Sequence, residues 1–251
     1  MALVEVSDHG AVRVLVLQRP EARNAMDTAL LAALLDAFAD GVARAHVRAL
    51  VLTGAGGAFS AGADVKEALD HAGTVRRMEL FAAVYEAVGT SPTPTVAAIE
   101  GACVGGGIEV AAACDVRVAG AGARFRFPGA SLGIAVGAAK LVGLVGLGAA
   151  KELVLTARTF DAAEAHRLGF VQRVADPPLT AALEVAQAIV VHPPEAVAHL
   201  KRQFLAYSGQ GDRIAAENDV LRALAEANGD YRALESPPGV GGWAGVRPGK
   251  Q

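Results

Sequence analysis

The chain is poor in aromatic residues, which make up 5% of its 251 positions. Its interior must therefore be built from alanine, valine and leucine, and an alanine-rich core predicts closely packed helices and buried subunit contacts. Charge of one sign is also lacking, since 23 basic and 26 acidic side chains leave a formal charge of −3. No broad field draws the protein toward nucleic acid or an anionic membrane, although a local group of cations can still hold a small anion. Of the two cysteines, Cys103 and Cys114, both lie in apolar segments and neither has metal-ligand spacing. They read as reduced, buried thiols; no disulfide framework and no metal site is expected. The start "MALVEVSDHGAVRVLVL" has no basic region followed by a long apolar stretch, so it does not read as a secretory signal. Longer apolar runs are broken by Gly, Lys or Glu before they reach membrane-spanning length. A cytoplasmic location is the expectation.

What is present alternates in type. Residues 11–20 ("AVRVLVLQRP") alternate and stop at Pro20, as a strand entering a turn does. Leu30, Leu31, Leu34, Leu35 and Phe38 recur at helical spacing within 24–43, with Asp27 or Asn24 as the cap. Residues 47–64 form an apolar strand running into a Gly/Ala loop, 74–88 an amphipathic helix, and 93–101 another strand. A short buried helix follows at 108–115, then strands over 115–120 and 123–128. Helices dominate from 136, with a short strand at 169–175 and two charged helices after 192. The tail from 235 is rich in Gly and Pro and is expected to extend over a surface. This order argues an α/β fold with a helical C-terminal part, divided as a core over 1–191 and a helical region with an extended tail over 192–251.

One stretch is unusual. In "ACVGGGIEV" (102–110) three glycines meet a glutamate inside an apolar run. A dinucleotide fingerprint needs a third spaced glycine, and Ile108, Glu109 and Val110 stand there instead. A strand, a bare turn and a helix start can simply be tight packing. They can also expose unpaired N–H groups at the positive end of a helix, where an oxygen gaining negative charge is stabilised. Such sites commonly use two donors. The loop "GAFSAGADVKE" (57–67) repeats the pattern, with a helix start expected at Asp64, so two loops can aim two amides at one point.

With these motifs the sequence resembles the crotonase superfamily, also called the enoyl-CoA hydratase/isomerase family. "AFSAGADVKE" and "VAAIEGACVGGGIEVAAACDVRVAG" carry the likeness. "LQRPEARNAM" (17–26), the segment 132–174 and "HPPEAVAHLK" extend it in order over nearly the whole chain. The resemblance implies a spiral of stacked β-β-α units with a C-terminal helical region that packs as trimers, often paired into hexamers. It also implies an acyl-CoA thioester as substrate, in fatty-acid metabolism or a related pathway, with no separate cofactor and no metal. Carried over by position, the two amides are those of Ala63 and Gly106, where a Cβ at 106 would crowd the thioester. Each donor is worth about 3 kcal/mol to a developing oxyanion. Arg23, Lys66, Asp64 and the backbone around Ala61 and Ala63 are the implied contacts to coenzyme A.

The same resemblance shows a departure. Hydratases of this family use two glutamates; Glu109 matches the first, but the second position falls in "FRFPGASLG" and is Gly129. Hydration needs a water held and deprotonated while a proton reaches carbon, and each well-placed acid or base contributes roughly 10²–10⁴-fold. Weak or absent hydratase activity is therefore expected. A single carboxylate still suffices to move one proton between two carbons, a double-bond isomerisation. Decarboxylation of a malonyl-type thioester, or acyl-CoA carriage without turnover, are the alternatives. Glu109 is read as catalytic rather than structural, because an apolar site raises its pKa toward neutrality. Ser131 and Lys140 are the nearest polar residues downstream, and neither stands in for a carboxylate. Asp115 reads as a tie to the helix before it, Asp64 as a helix cap, and Tyr85 and Glu86 as packing and solvent-facing residues.

Overall fold

A computed structural model describes residues 2–227; the Gly/Pro-rich tail discussed above lies outside the described residues. The elements run β1 (Val4–His9), β2 (Val12–Leu17), α1 (Thr28–Ala43), β3 (Ala49–Gly54), α2 (His71–Gly89) and β4 (Thr95–Ile99). There follow β5 (Ala102–Val104), α3 (Gly106–Ala113), β6 (Val116–Ala119), β7 (Arg124–Arg126), α4 (Gly129–Leu132) and α5 (Ala138–Thr156). The last are β8 (Thr159–Asp161), α6 (Ala162–Arg167), β9 (Arg173–Val174), α7 (Pro178–Val190), α8 (Pro194–Ser208) and α9 (Gln210–Glu226). The expected α/β arrangement with a helical C-terminal region is what forms.

Six strands make one sheet in the order β1-β2-β3-β4-β6-β9, antiparallel at β1-β2 and parallel elsewhere. A second sheet, β5-β7-β8, begins with β5, separated from the end of β4 by Glu100 and Gly101. Strand alternation sorts the main sheet's side chains onto two faces. Leu15, Leu17, Leu50, Leu52, Ala97 and Ile99 point into the larger core with α1, α2 and α3. Val12, Val14, Ala49, Val51, Val96 and Ala98 point the other way, against Ala181, Ala182 and Ala186 of α7. The small faces of α7 and the sheet let helix and strands approach closely, which is where the alanine goes. Four of the aromatics cluster at the second sheet, where Phe160 and Phe170 each lie 5.3–6.4 Å from Phe125, from Phe127 and from one another, in stacked and edge-on pairs.

Helix α1 is capped by Asp27, whose Oδ1 accepts from the Leu30 amide at 2.8 Å. Asn24 instead ties loops, its side-chain amide donating to the Ala55 and Ala58 carbonyls. No helix begins at Asp64. The chain there makes turns, and α2 begins at His71 with Asp70 as its cap. Asp115 ties the start of β4 and helix α8 rather than the helix before it, since its Oδ2 accepts from the Thr95 amide at 2.7 Å and from Lys201 Nζ at 2.6 Å. Among the described residues no helix is long and apolar enough to cross a membrane.

Candidate active site

The site lies beyond the carboxyl ends of β3 and β4, where open parallel sheets commonly bind ligands. The chain leaving β3 and the chain leaving β4 run side by side. Phe59 N donates to Glu100 O at 2.7 Å, Ser60 N to Ala102 O at 3.0 Å, and Val104 N to Ser60 O at 3.0 Å. This parallel zipper brings residues 60–63 alongside 103–106. A Cβ added at Gly62 would stand 3.2 Å from the Gly106 nitrogen.

The zipper also sets the direction of the Ala63 amide. On its other side, Gly62 O accepts from Met26 N at 2.7 Å and Asp64 N donates to Met26 O at 3.0 Å. Alternate residues of an extended segment bond to opposite sides, so the Ala63 N–H faces away from Met26. It makes no backbone hydrogen bond among the described residues, and neither does the Gly106 N–H in the first turn of α3. Ala63 and Gly106 both line a cavity of about 320 Å³, together with Ala61 and Glu109.

Each glycine of the triplet has its own reason. Gly105 sits at φ 55°, ψ −124°, a conformation that side chains rarely adopt. A Cβ at Gly107 would stand 2.7 Å from both Cβ and O of Ser60. At Gly106 a Cβ would collide with the Phe81 ring and stand 3.1 Å from Met26 Cε. The crowding expected there from a thioester thus comes first from the protein itself.

Met78, Phe81 and Tyr85, on one face of α2, form an apolar wall, and Ile134, Val136 and Leu221 add to the apolar lining. Tyr85 faces the cavity while Glu86 is exposed. Arg126 and Ser131 also line the space, but each donates to a main-chain carbonyl, Arg126 to Ala157 at 2.7 Å and Ser131 to Pro128 at 2.8 Å. Glu109 is the sole carboxylate among the described lining residues.

Glu109 stands in the first turn of α3 with its side chain 2% exposed. Its Oε2 is wholly buried and, among the described residues, receives no hydrogen bond of ordinary angle. What compensates it is the Lys140 ammonium, 2.9 Å away. Burial pushes the Glu109 pKa up from an ordinary 4.5 to about 7, against the opposing pull of Lys140 and with the help of Glu217. Burial alone would depress Lys140, but Glu109 and Glu217 outweigh it and hold the ammonium charged.

Gly129 also lines the cavity, and the structure explains its lack of a side chain. Ile134 N donates to Gly129 O at 2.9 Å, folding the following loop back. A Cβ at 129 would then stand 2.5 Å from the Ile134 carbonyl oxygen. The place a second carboxylate would occupy is filled by backbone.

The remaining sequence-derived residues lie at the rim. Arg23 and Lys66 are exposed, Arg23 beside Ala61 through the Ala61 N–Arg23 O bond of 2.9 Å, and Lys66 next to the cavity-lining Val65. Asp64 is turned to Arg19, 2.9 Å away, and to the Lys66 amide, 3.0 Å away. The bond from that amide, chiefly, holds its carboxyl below the ordinary range. Sequence reasoning passed over Glu217, which reaches the site from α9 across 77 residues of chain and looks, on a charged helix, like a solvent-facing side chain. A second cleft of about 240 Å³, lined by Arg48, Pro94 and His192, lies at the opposite ends of β3 and β4 and contains no carboxylate. Among the described residues no group of acidic, histidine or cysteine side chains is arranged to hold a metal.

The sequence profile of the Enoyl-CoA hydratase/isomerase family matches residues 7–227. A short-chain-enoyl-CoA hydratase of Clostridium acetobutylicum is 36% identical over 203 residues, covering 77% of each chain. The crystal structure of an enoyl-CoA hydratase from Bacillus anthracis superposes with a TM-score of 0.78 at 31% identity, over 86% of this chain and 90% of that one. A monofunctional enoyl CoA isomerase from M. smegmatis gives 0.73 at 32% identity, over 83% and 95%.

Proposed function

The chain belongs to the enoyl-CoA hydratase/isomerase family, and from that footing we propose that it is an enoyl-CoA isomerase in which Glu109 alone carries the proton. The reading rests on one observation. Glu109 is the only described carboxylate in a cavity whose wall also holds the amides of Ala63 and Gly106, which are unpaired among the described residues.

The thioester carbonyl of a 3-enoyl-CoA sits between those two amides. Glu109 removes a proton from C2, and the C–H electron pair spreads into a dienolate whose negative oxygen the amides receive. The same carboxyl, now protonated, returns its proton to C4 and leaves the 2-enoyl thioester. A pKa near 7 suits a group that must take and give back a proton at neutral pH. Hydration would need a second base to activate water, and Gly129 offers none. The acyl chain lies against Phe81, Tyr85 and Leu221, while coenzyme A leaves past Ala61 toward Arg23 and Lys66. Asp64 serves it indirectly by fixing the turn before Lys66.

The functional unit of this proposal is a homotrimer, alone or paired as a hexamer. Supporting it, Leu200, Phe204 and Tyr207 share one face of α8 and are 50%, 69% and 80% exposed.

The test offers purified protein 3-hexenoyl-CoA and crotonyl-CoA side by side. The expected result is 2-enoyl product from the first and at least about 10²-fold slower hydration of the second. Glu109→Ala should abolish the isomerisation. Hydration of crotonyl-CoA at ordinary enzyme rates overturns the reading. Tight calorimetric binding with no turnover would point to a carrier, and carbon dioxide release from a malonyl-type thioester to a decarboxylase.

A further inference from the structure

Lys140 does not line the cavity; it lies behind Glu109 with a side chain 0% exposed. Its Nζ is 2.9 Å from Glu109 Oε2, 2.7 Å from Glu217 Oε1 and 4.7 Å from the centre of the Tyr85 ring. Glu217 is itself fixed, because its Oε2 accepts from the amides of Gly137 at 3.0 Å and Ala139 at 2.9 Å, at the start of α5. That end of a helix favours a carboxylate. Gly137 also lies beside Glu109, since a Cβ there would stand 3.0 Å from Glu109 Oε1.

As a mere fastening for α9 this arrangement is costly. Desolvating ions costs several kcal/mol each, and apolar side chains of similar size would hold as well. Helix α9 is already anchored by buried Ile214, Leu221 and Leu224. One cation shared by two carboxylates does something apolar packing cannot. It compensates Glu109 in part, and by engaging Oε2 it restricts how the carboxylate can turn.

We propose that Lys140 is a positioning residue for the proton transfer, holding Glu109 in its proton-accepting form and fixed in orientation, with Glu217 as the anchor that divides the charge of Lys140. The proposal rests on the reading of Glu109 as the proton carrier. Four titratable groups face Glu109: Lys140 on α5, Glu217 on α9, Tyr85 on α2 and Cys103 on β5. Burial lifts Tyr85 and Cys103 well above their ordinary values, so both stay neutral through the working range. Lys140 and Glu217 are the two charges that matter, and they act with opposite signs.

The experiment measures the pH–rate profile of 3-enoyl-CoA isomerisation from about pH 5 to about pH 9. Beside it runs a ¹³C-carboxyl NMR titration of Glu109 in the full chain, assigned with Glu109→Gln. Lys140→Met should raise the Glu109 midpoint by at least about one unit and cut the rate at neutral pH about tenfold, with recovery toward high pH. Glu217→Gln should lower the midpoint. Lys140→Arg should restore much of the native profile.

Fastening alone would lower stability in both variants and move neither midpoint. Midpoints that stay put, or that move in the same direction, overturn the proposal. If Lys140→Met does not fold, a midpoint that fails to drop in Glu217→Gln overturns it by itself. Should the wild-type chain show no turnover, the isomerase reading fails, and the NMR midpoints still decide for or against Lys140.

Discussion

Gly129 and Ile134 are locked together: the Ile134 amide donates to the Gly129 carbonyl at 2.9 Å, and the Ile134 carbonyl stands 2.5 Å from where a Cβ on Gly129 would be. The loss of a second carboxylate is therefore not a single-residue change. Gly129→Glu should fail to create a hydratase, because the side chain cannot enter without moving the 129–136 loop. Gly129→Ala should already cost about 1–3 kcal/mol of stability through overpacking. Thermal unfolding and crotonyl-CoA hydration check the pair; an active, stable Gly129→Glu enzyme would show that the loop yields easily.

Gly106 supplies one of the two proposed donors and abuts the Phe81 ring. Gly106→Ala should lower isomerase turnover at least about 10²-fold, the usual loss when an oxyanion donor is displaced. Adding Phe81→Leu makes room for the new methyl. The double variant should regain part of the lost stability, a coupling expected of residues in contact. Stability and turnover in the four-member cycle separate crowding from the loss of the donor. Full activity in Gly106→Ala would remove this amide from the mechanism.

These two glycines mark what could be read in advance and what could not. Strands β2, β3 and β4 are legible as short apolar segments, which the fold buries on both faces, and α1 by the period of its one buried face; α8 and α9 are legible as charged helices, and α8 buries no residue fully. Strand β1 escaped because its residues after Val4 are partly or fully solvent-facing, and β8 because three residues carry no period. Asp64 looked like a cap because its neighbours look like a helix start. In the fold its carboxylate is claimed by Arg19, and Asp70 does the capping. Ala61, Ala63, Gly106 and Glu109 were legible as motif residues, and they meet in one cavity wall. Lys140 and Glu217 carried no such signal. Their pairing joins α5 to α9, and only the folded chain brings them behind Glu109.

The exposed stripe on α8 tests the proposed assembly. Leu200, Phe204 and Tyr207 together present an exposed apolar face of the kind that marks an interaction surface. Light scattering behind gel filtration should give three or six chain masses. Phe204→Glu with Tyr207→Glu should shift the population to smaller species while leaving the monomer's circular dichroism intact. A wild-type chain that runs as a monomer at working concentration would refute the assembly.

The raised pKa of Glu109 ties stability to pH with a definite sign. The folded chain binds this proton more tightly than the unfolded chain, about 7 against an ordinary 4.5. Its contribution is therefore fully present below about pH 4.5 and is lost as pH rises through about 7. The span corresponds to at most about 3 kcal/mol. Asp8, Asp40, Asp64, Glu152 and Glu164 have depressed values and work in the other direction, losing their stabilisation only as pH falls below the ordinary carboxylate range. Between about pH 5 and about pH 8 the decline due to Glu109 should therefore stand alone among these carboxylates. Glu109→Gln keeps the shape, leaves Lys140 paired with Glu217 and removes the titration. Denaturant unfolding at several pH values should show the wild-type midpoint falling across that interval and the variant's staying nearly flat. The variant should also be the more stable of the two at the alkaline end, because activity at this site is maintained against stability. Parallel curves for the two proteins would mean that Glu109 does not titrate near neutrality, and the proton-carrier role would lose its physical basis.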